Sequence, residues 1–335
     1  MNENKPSVTG ATTEPELIRV RIARARPEAL DVRGFDLVQE RGGSLPGFKA
    51  GAHVDVHITL PDRRRVVRSY SLCGPPSDQP YSYRIAVLYE EHGTGGSRHL
   101  HEGMREGYVL DIAPPKNYFE LKSDATHTVL VAGGIGITPI LAMAYELAEQ
   151  DKLFELHYVA RTADHMALRK EVEEAAGKRA RFYFDGGNPA NGMDLGVVLG
   201  SPAEGKHVYV CGPKGLIEAT RERALARGYG EGAVHSEIFT PPAPLPGDGP
   251  ITVIARRSGI TVPVAKGTSI LDALLAAGVK TDFDCKMGIC GTCAAQVLEG
   301  TPDHRDSSLL KSERAAGKMC TCVSRALTPS LVLDL

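Results

Sequence analysis

The stretch Asp284-Cys285-Lys286-Met287-Gly288-Ile289-Cys290-Gly291-Thr292-Cys293 sets three cysteines in the spacing C-x4-C-x2-C, and 28 residues intervene before Cys322. Two irons bridged by two sulfides need four converging thiolates, and this spacing supplies three of them from one loop. Gly288 and Gly291 let that loop curl, because glycine accepts positive φ and brings main-chain N–H groups close to a charged centre. N–H groups aimed at sulfur then tune the reduction potential. A zinc site would show paired C-x2-C knuckles, and only one such pair is present. Five of the seven cysteines fall between Cys285 and Cys322, which argues against scattered core residues. The spacing leaves the fourth ligand open between Cys320 and Cys322.

Around this loop the chain resembles plant-type ferredoxins. Cys322-Val323-Ser324-Arg325-Ala326 is similar to the closing motif of that family, and the resemblance favours Cys285, Cys290, Cys293 and Cys322 as ligands. Residues 251–256 and 260–264 flank Ser258-Gly259, a hairpin signal. Ser269-Ile270-Leu271-Asp272 opens a helix with a capping-box-like pattern, and Gly278 ends it. With a last strand at 330–335, the expected domain over 251–335 is a β-grasp (α+β) fold. Ile289 is placed to shield the cluster from water.

Upstream, residues 240–250 hold five prolines in eleven positions, an extended, semi-rigid connection over 241–250. Before it, residues 123–240 alternate apolar runs with helical stretches, which predicts a doubly wound parallel α/β sheet. The run Thr128 to Ala132 leads into Gly133-Gly134-Ile135-Gly136-Ile137-Thr138-Pro139 and a helix. Strand, glycine turn and helix set a pyrophosphate against helix N–H groups, although the G-x-G-x-x-G fingerprint is absent. Arg161, Asp185 and Cys211 fall at strand carboxyl ends, where the ligand of such a sheet belongs.

Residues 17–122 alternate with period two, as in Val54, Val56, Ile58 and Leu60 against Asp55, His57 and Thr59. Turn-rich segments separate these runs, which predicts a small antiparallel β-barrel. Arg68-Ser69-Tyr70-Ser71 ends one strand and offers a guanidinium, a phenol and a hydroxyl to a phosphate-bearing aromatic cofactor. Thr94-Gly95-Gly96-Ser97 precedes a helix and offers N–H groups to an anion.

The order of these motifs resembles the ferredoxin–NADP reductase superfamily. By that resemblance Arg68, Tyr70 and Ser71 contact the flavin, and Gly95, Gly96 and Ser97 its phosphate. Gly134, Gly136, Thr138 and Pro139 line the pyrophosphate and nicotinamide site. Cys211, in Cys211-Gly212-Pro213, sits beside the nicotinamide, and Glu237 and Phe239 form the acidic-x-Phe ending. Read without the family, Cys211 is a buried small hydrophobe. Arg161 could serve a 2′-phosphate or stack on adenine; NADH is favoured because no paired basic and aromatic signature is present.

The chain has 335 residues, 42% of them hydrophobic, and a net charge of −2 with mixed signs. Nothing in that balance calls for nucleic acid or an anionic membrane. Residues 1–16 read as a polar tail without the basic start and apolar run of a signal peptide, and the uncharged run over 128–145 is broken by glycines and a proline. Odd cysteines without a secretion signal fit the cytoplasm.

A nicotinamide delivers two electrons as hydride, an iron–sulfur cluster takes one, and a flavin converts between them. Flavin domain, nicotinamide domain and C-terminal ferredoxin domain, in this order, resemble the phthalate dioxygenase reductase family. That resemblance implies FMN and a separate Rieske non-haem iron oxygenase as acceptor, in aromatic catabolism. No Rieske or 2-His-1-carboxylate motif is visible in the chain itself. A reductase for a cytochrome P450, and a redox sensor carrying flavin and cluster, are the alternative expectations. A transient redox partner needs only a small interface, and a monomer is expected.

Overall fold

The computed structural model describes residues 16–93, 95–239, 245 and 247–335. The expected polar tail, except Glu16, lies outside the described residues, as do Thr94, Thr240 and half of the proline-rich connection. The chain divides into two compact units, one reaching Asp194 and including Glu204–Lys206, the other holding Leu195–Ala203 and His207–Leu335.

The first unit opens with β1 (Ile18–Ala29), β2 (Val32–Gln39), β3 (Ala52–Thr59), β4 (Arg65–Ser71), β5 (Ser82–Leu88), a short helix α1 (Gly96–Glu102), β6 (Val109–Ile112) and β7 (Lys116–Asn117). The strands form one antiparallel sheet in the order β4-β3-β6-β1-β2-β5, with β7 on β3. A bridge between Leu72 and Ile85 brings the end of β4 against the middle of β5, so the sheet curls into a barrel. Val54, Val56 and Ile58 are buried while Asp55, His57 and Thr59 are not, the alternation the sequence predicts. They join Val20, Ile22, Phe35, Leu37, Tyr83 and Ile85 in the barrel core. Burying each such side chain contributes about 1.5–3 kcal/mol.

The same unit continues through β8 (His127–Gly133), α2 (Ile137–Glu149), β9 (Leu153–Ala160), α3 (Arg169–Ala176) and β10 (Ala180–Phe184). β8, β9 and β10 run parallel. β8 is apolar almost throughout, as a strand covered on both faces must be. No described helix is long and apolar enough to cross a membrane; the uncharged run over 128–145 is divided between β8 and α2.

The second unit begins with α4 (Leu195–Leu199), β11 (Lys206–Cys211, from His207 on), α5 (Lys214–Ala226) and β12 (Val234–Glu237), in which β11 and β12 pair in parallel. It continues with β13 (Ile251–Ala255), β14 (Ile260–Val264), α6 (Ile270–Ala276), β15 (Ala294–Glu299), β16 (Pro302–Asp303), α7 (Lys311–Ala315), β17 (Lys318–Cys320), β18 (Arg325–Ala326) and β19 (Ser330–Leu333). The sheet order is β14-β13-β19-β15-β17. β13 and β14 form the expected hairpin, and β19 enters parallel to β13. α6 packs on this sheet through Ile270, Ala273 and Leu274, which gives the β-grasp. The Ser269 hydroxyl accepts from the Asp272 N–H at 2.9 Å, the expected cap, and Gly278 takes φ +79° where α6 ends.

Candidate functional site

The cysteine loop crosses from α6 to β15. Three residues of it hold left-handed backbone: Lys286 at φ +54°, Gly288 at +75° and Gly291 at +74°. The turn at Lys286 sends the Met287 N–H to the Cys285 sulfur at 3.3 Å. The Ile289 and Cys290 N–H groups also face Cys285, and the Gly288 N–H faces Cys322. A Cβ on Gly288 would stand 2.6 Å from a Val323 methyl and 3.1 Å from the Asp306 Cα, so only glycine fits there.

The thiols gather in sets. Cys285 neighbours Cys290, while Cys293 neighbours Cys320 and Cys322. These neighbouring thiols hold Cys290 and Cys293 below an ordinary thiol. Among the described residues no three His, Cys, Asp or Glu donors meet as one mononuclear ion would require. Two sets, each supplying a pair of thiolates, suit two irons bridged by sulfides better than one zinc. Of the candidates for the fourth position, both neighbour Cys293; Cys322 also neighbours Cys285, whereas the Cys320 sulfur has the Ser308 hydroxyl 3.3 Å away. The [2Fe–2S] cluster thus fits the residues present. Ser308 and the buried Asp306 wall the loop, and sequence reasoning missed both: they lie more than ten residues past Cys293 and carry no periodic or motif signal.

In the barrel, Arg68 and Tyr70 share one half-buried face of β4, with Tyr70 packed against the barrel core. Burial keeps the Tyr70 phenol protonated far above neutral pH. A Cβ on Gly96 would meet the Arg68 Cγ at 3.2 Å, so the glycine-led start of α1 lies directly against the arginine stem. Gly95 there takes φ +98°. A phosphate cradle of guanidinium and helix-start N–H groups is what this juxtaposition offers. The Ser97 hydroxyl accepts from the Glu90 N–H at 3.1 Å and keeps its own hydrogen to donate. Ser71 departs from the expected convergence. It stands on the opposite face of β4, buried across from His53. That face also carries Asp55, which accepts from the Ser69 hydroxyl at 2.5 Å and pairs with Lys116 at 3.2 Å.

In the first unit β8 runs into a turn at Gly134, φ +53°, and then into α2. The Thr138 hydroxyl donates to the Ile135 carbonyl at 3.0 Å and ties the turn to the helix start. Gly136 and Pro139 are buried there. Exposed Arg161 follows β9, and Asp185 follows β10; the Gly186 N–H donates to the Arg161 carbonyl at 3.0 Å, and the Gly187 N–H to Asp185 at 2.8 Å. Both thus stand at the carboxyl ends of parallel strands. In the second unit Cys211 is the last residue of β11 and pairs in register with Glu237 of β12. Both are buried, and burial together with the Glu237 carboxylate pushes the Cys211 thiol up. Phe239 is 39% exposed.

Residues 130–222 match the family described as oxidoreductase NAD-binding domain, and residues 253–327 the 2Fe-2S iron-sulfur cluster binding domain. The chain is 39% identical over 322 residues to a vanillate O-demethylase oxidoreductase of Pseudomonas sp. (strain HR199 / DSM 7063), covering 95% of this chain and 100% of the relative. It is 41% identical over 311 residues to the protein of that name from Pseudomonas putida, covering 92% and 96%. Its fold is similar to the solved phthalate dioxygenase reductase, a structure for electron transfer from pyridine nucleotides to [2Fe–2S], with a TM-score of 0.70, 34% identity, and coverage of 95% of this chain and 98% of that one. With flavin barrel, nucleotide-binding domain and C-terminal cluster domain in one order, and relatives of this identity matched over nearly their whole length, the chain belongs to the phthalate dioxygenase reductase family.

Proposed function

We propose that the protein draws electrons pairwise from NADH and passes them one at a time to a separate Rieske-type oxygenase or demethylase of aromatic catabolism, in the cytoplasm. The two-set thiol arrangement, in one chain with a parallel-strand nucleotide domain, carries this reading. FMN, when bound, supplies the exchange between two-electron and one-electron chemistry. In the barrel, Arg68 and the N–H groups of Gly95, Gly96 and Ser97 hold the phosphate, and Tyr70 lies along the ring. In the nucleotide domain, Gly134 and Gly136 bring backbone close to the pyrophosphate, and Thr138 and Pro139 fix the start of α2 beneath it. Arg161 and Asp185 take the adenosine end. Cys211, Glu237 and Phe239 form the nicotinamide side, with Cys211 uncharged because it is buried. Cys285, Cys290, Cys293 and Cys322 hold the cluster, whose rim at Cys290 is the exit. Relatives named for demethylases and dioxygenases support an oxygenase as acceptor.

A second acceptor class has one specific observation behind it. An intact self-sufficient cytochrome P450 monooxygenase contains a similar region at 37% identity and TM-score 0.76, this chain spanning 41% of its length. Anaerobic NADH titration of the purified protein tests the main reading. Flavin and ferredoxin bands should bleach together with about three electrons per chain, two for flavin and one for cluster. NADPH should give a lower kcat/KM. A preparation without iron, or one whose bands ignore NADH, sinks the assignment. Paired turnover assays with a Rieske oxygenase and with a P450 then separate the acceptors.

A further inference from the structure

Five thiols surround a site that needs four, and the fifth has a place of its own. Cys320 ends β17, opposite Ala294 of β15 and one residue from the Thr321 whose N–H and hydroxyl both donate to the Cys293 carbonyl, at 3.2 and 3.1 Å. Its side chain is fully buried and packs with Cys293, Cys322, Leu271 and Leu309. On its other side the Ser308 hydroxyl lies 3.3 Å from its sulfur. Ser308 itself leans on Gly291 of the ligand loop, 3.7 Å from where a Cβ would stand. Cys320 therefore sits beside a hydroxyl and in one buried cluster with a ligand cysteine.

We propose that Cys320 is not a ligand but a hydrogen-bond donor to the sulfur of Cys293, oriented by Ser308, and that this bond sets the reduction potential of the cluster. The order of donors is fixed by chemistry. A ligand thiolate can only accept, so the Cys320 S–H points to Cys293 and the Ser308 O–H points to Cys320. Each bond in such a chain polarises the next. A hydrogen bond to a ligand sulfur favours the more negative, reduced state and so raises the potential. The apolar surroundings of Leu271 and Leu309 strengthen the effect, because little else screens it.

This inference rests on the ligand assignment above, and iron content keeps the two apart: wild-type protein without two irons per chain would overturn the assignment itself. In the full-length protein, Cys320→Ala should keep two irons per chain and lower the midpoint potential in an EPR-monitored redox titration, with altered g-values. Cys320→Ser, which retains a donor, should restore most of the shift. Ser308→Ala should move the potential the same way by less. A potential and spectrum unchanged in Cys320→Ala would overturn the proposal. So would loss of iron in Cys320→Ala with two irons retained in Cys322→Ser, which would make Cys320 the ligand. Should Cys320→Ala not fold, Ser308→Ala decides: an unchanged potential there overturns the relay.

Discussion

Single atoms decide much at the residue scale. Gly96 lies against the Arg68 stem at a distance a methyl group cannot share without moving it. Gly96→Ala should displace the guanidinium and weaken FMN retention about tenfold, or ~1.4 kcal/mol, in ultrafiltration of the purified protein; unchanged flavin affinity would remove Gly96 from the cradle. Gly288 combines φ +75° with backbone on one side and Val323 on the other. Gly288→Ala should cost roughly 2–4 kcal/mol from strain and overpacking, and it should appear as protein with less than one cluster per chain. Both glycines are conspicuous in the sequence because they sit inside local motifs. Ser71 was harder to place. Its neighbours Arg68 and Tyr70 share a face by period two, and a third motif residue one step on necessarily falls on the other side. Cys320 and Cys322 could not be told apart by spacing, since what separates them is Ser308 and the Gly288 N–H, contacts from elsewhere in the chain.

The connections between elements are made by charge. Lys286, left-handed between Cys285 and Met287, reaches the Asp272 carboxylate of α6 at 2.8 Å and lies 4.8 Å from the centroid of the Phe283 ring. Asp272 in turn accepts from the Ser269 cap at 2.8 Å, so the start of α6 and the ligand loop are one hydrogen-bonded unit. Arg305, beside the loop-walling Asp306, grips Asp248 through two bonds of 2.8 and 2.6 Å. This ties the end of the proline-rich connection to the cluster domain. Arg305 holds the Asp248 carboxyl down to about 2, against about 3.9 for an unfolded aspartate. A carboxyl depressed on folding adds stability above its unfolded value and loses it as the pH drops toward its folded one. Asp248→Asn should therefore lower the thermal midpoint by its full amount at pH 7. The gap to wild type should begin to close only below about pH 4; a gap that closes nearer neutrality would assign the effect to another group. The capping serine of α6 was legible because caps are local. Asp248 and Arg305 were not, for they stand 57 positions apart and each reads alone as an ordinary surface charge.

At the scale of the whole molecule, the order of carriers was legible because each is announced by a short motif at the end of a strand or start of a helix. Alternation predicted the barrel strand β3 and its buried face residue by residue, and the apolar runs before glycine turns predicted the parallel strands. Sheet order was another matter. Nothing in the sequence of residues 330–335 says that β19 enters between β13 and β15, because that position is set by pairing across nearly eighty residues. The placement governs how the protein is made. A nascent chain that has already presented Cys285, Cys290, Cys293 and Cys322 still lacks the central strand of its last sheet, and β13 and β15 have nothing to join them. Metallation consequently belongs after β19 has entered the sheet. A chain cut before Ser330 should be recovered without iron however much is supplied during expression, while its barrel still retains flavin.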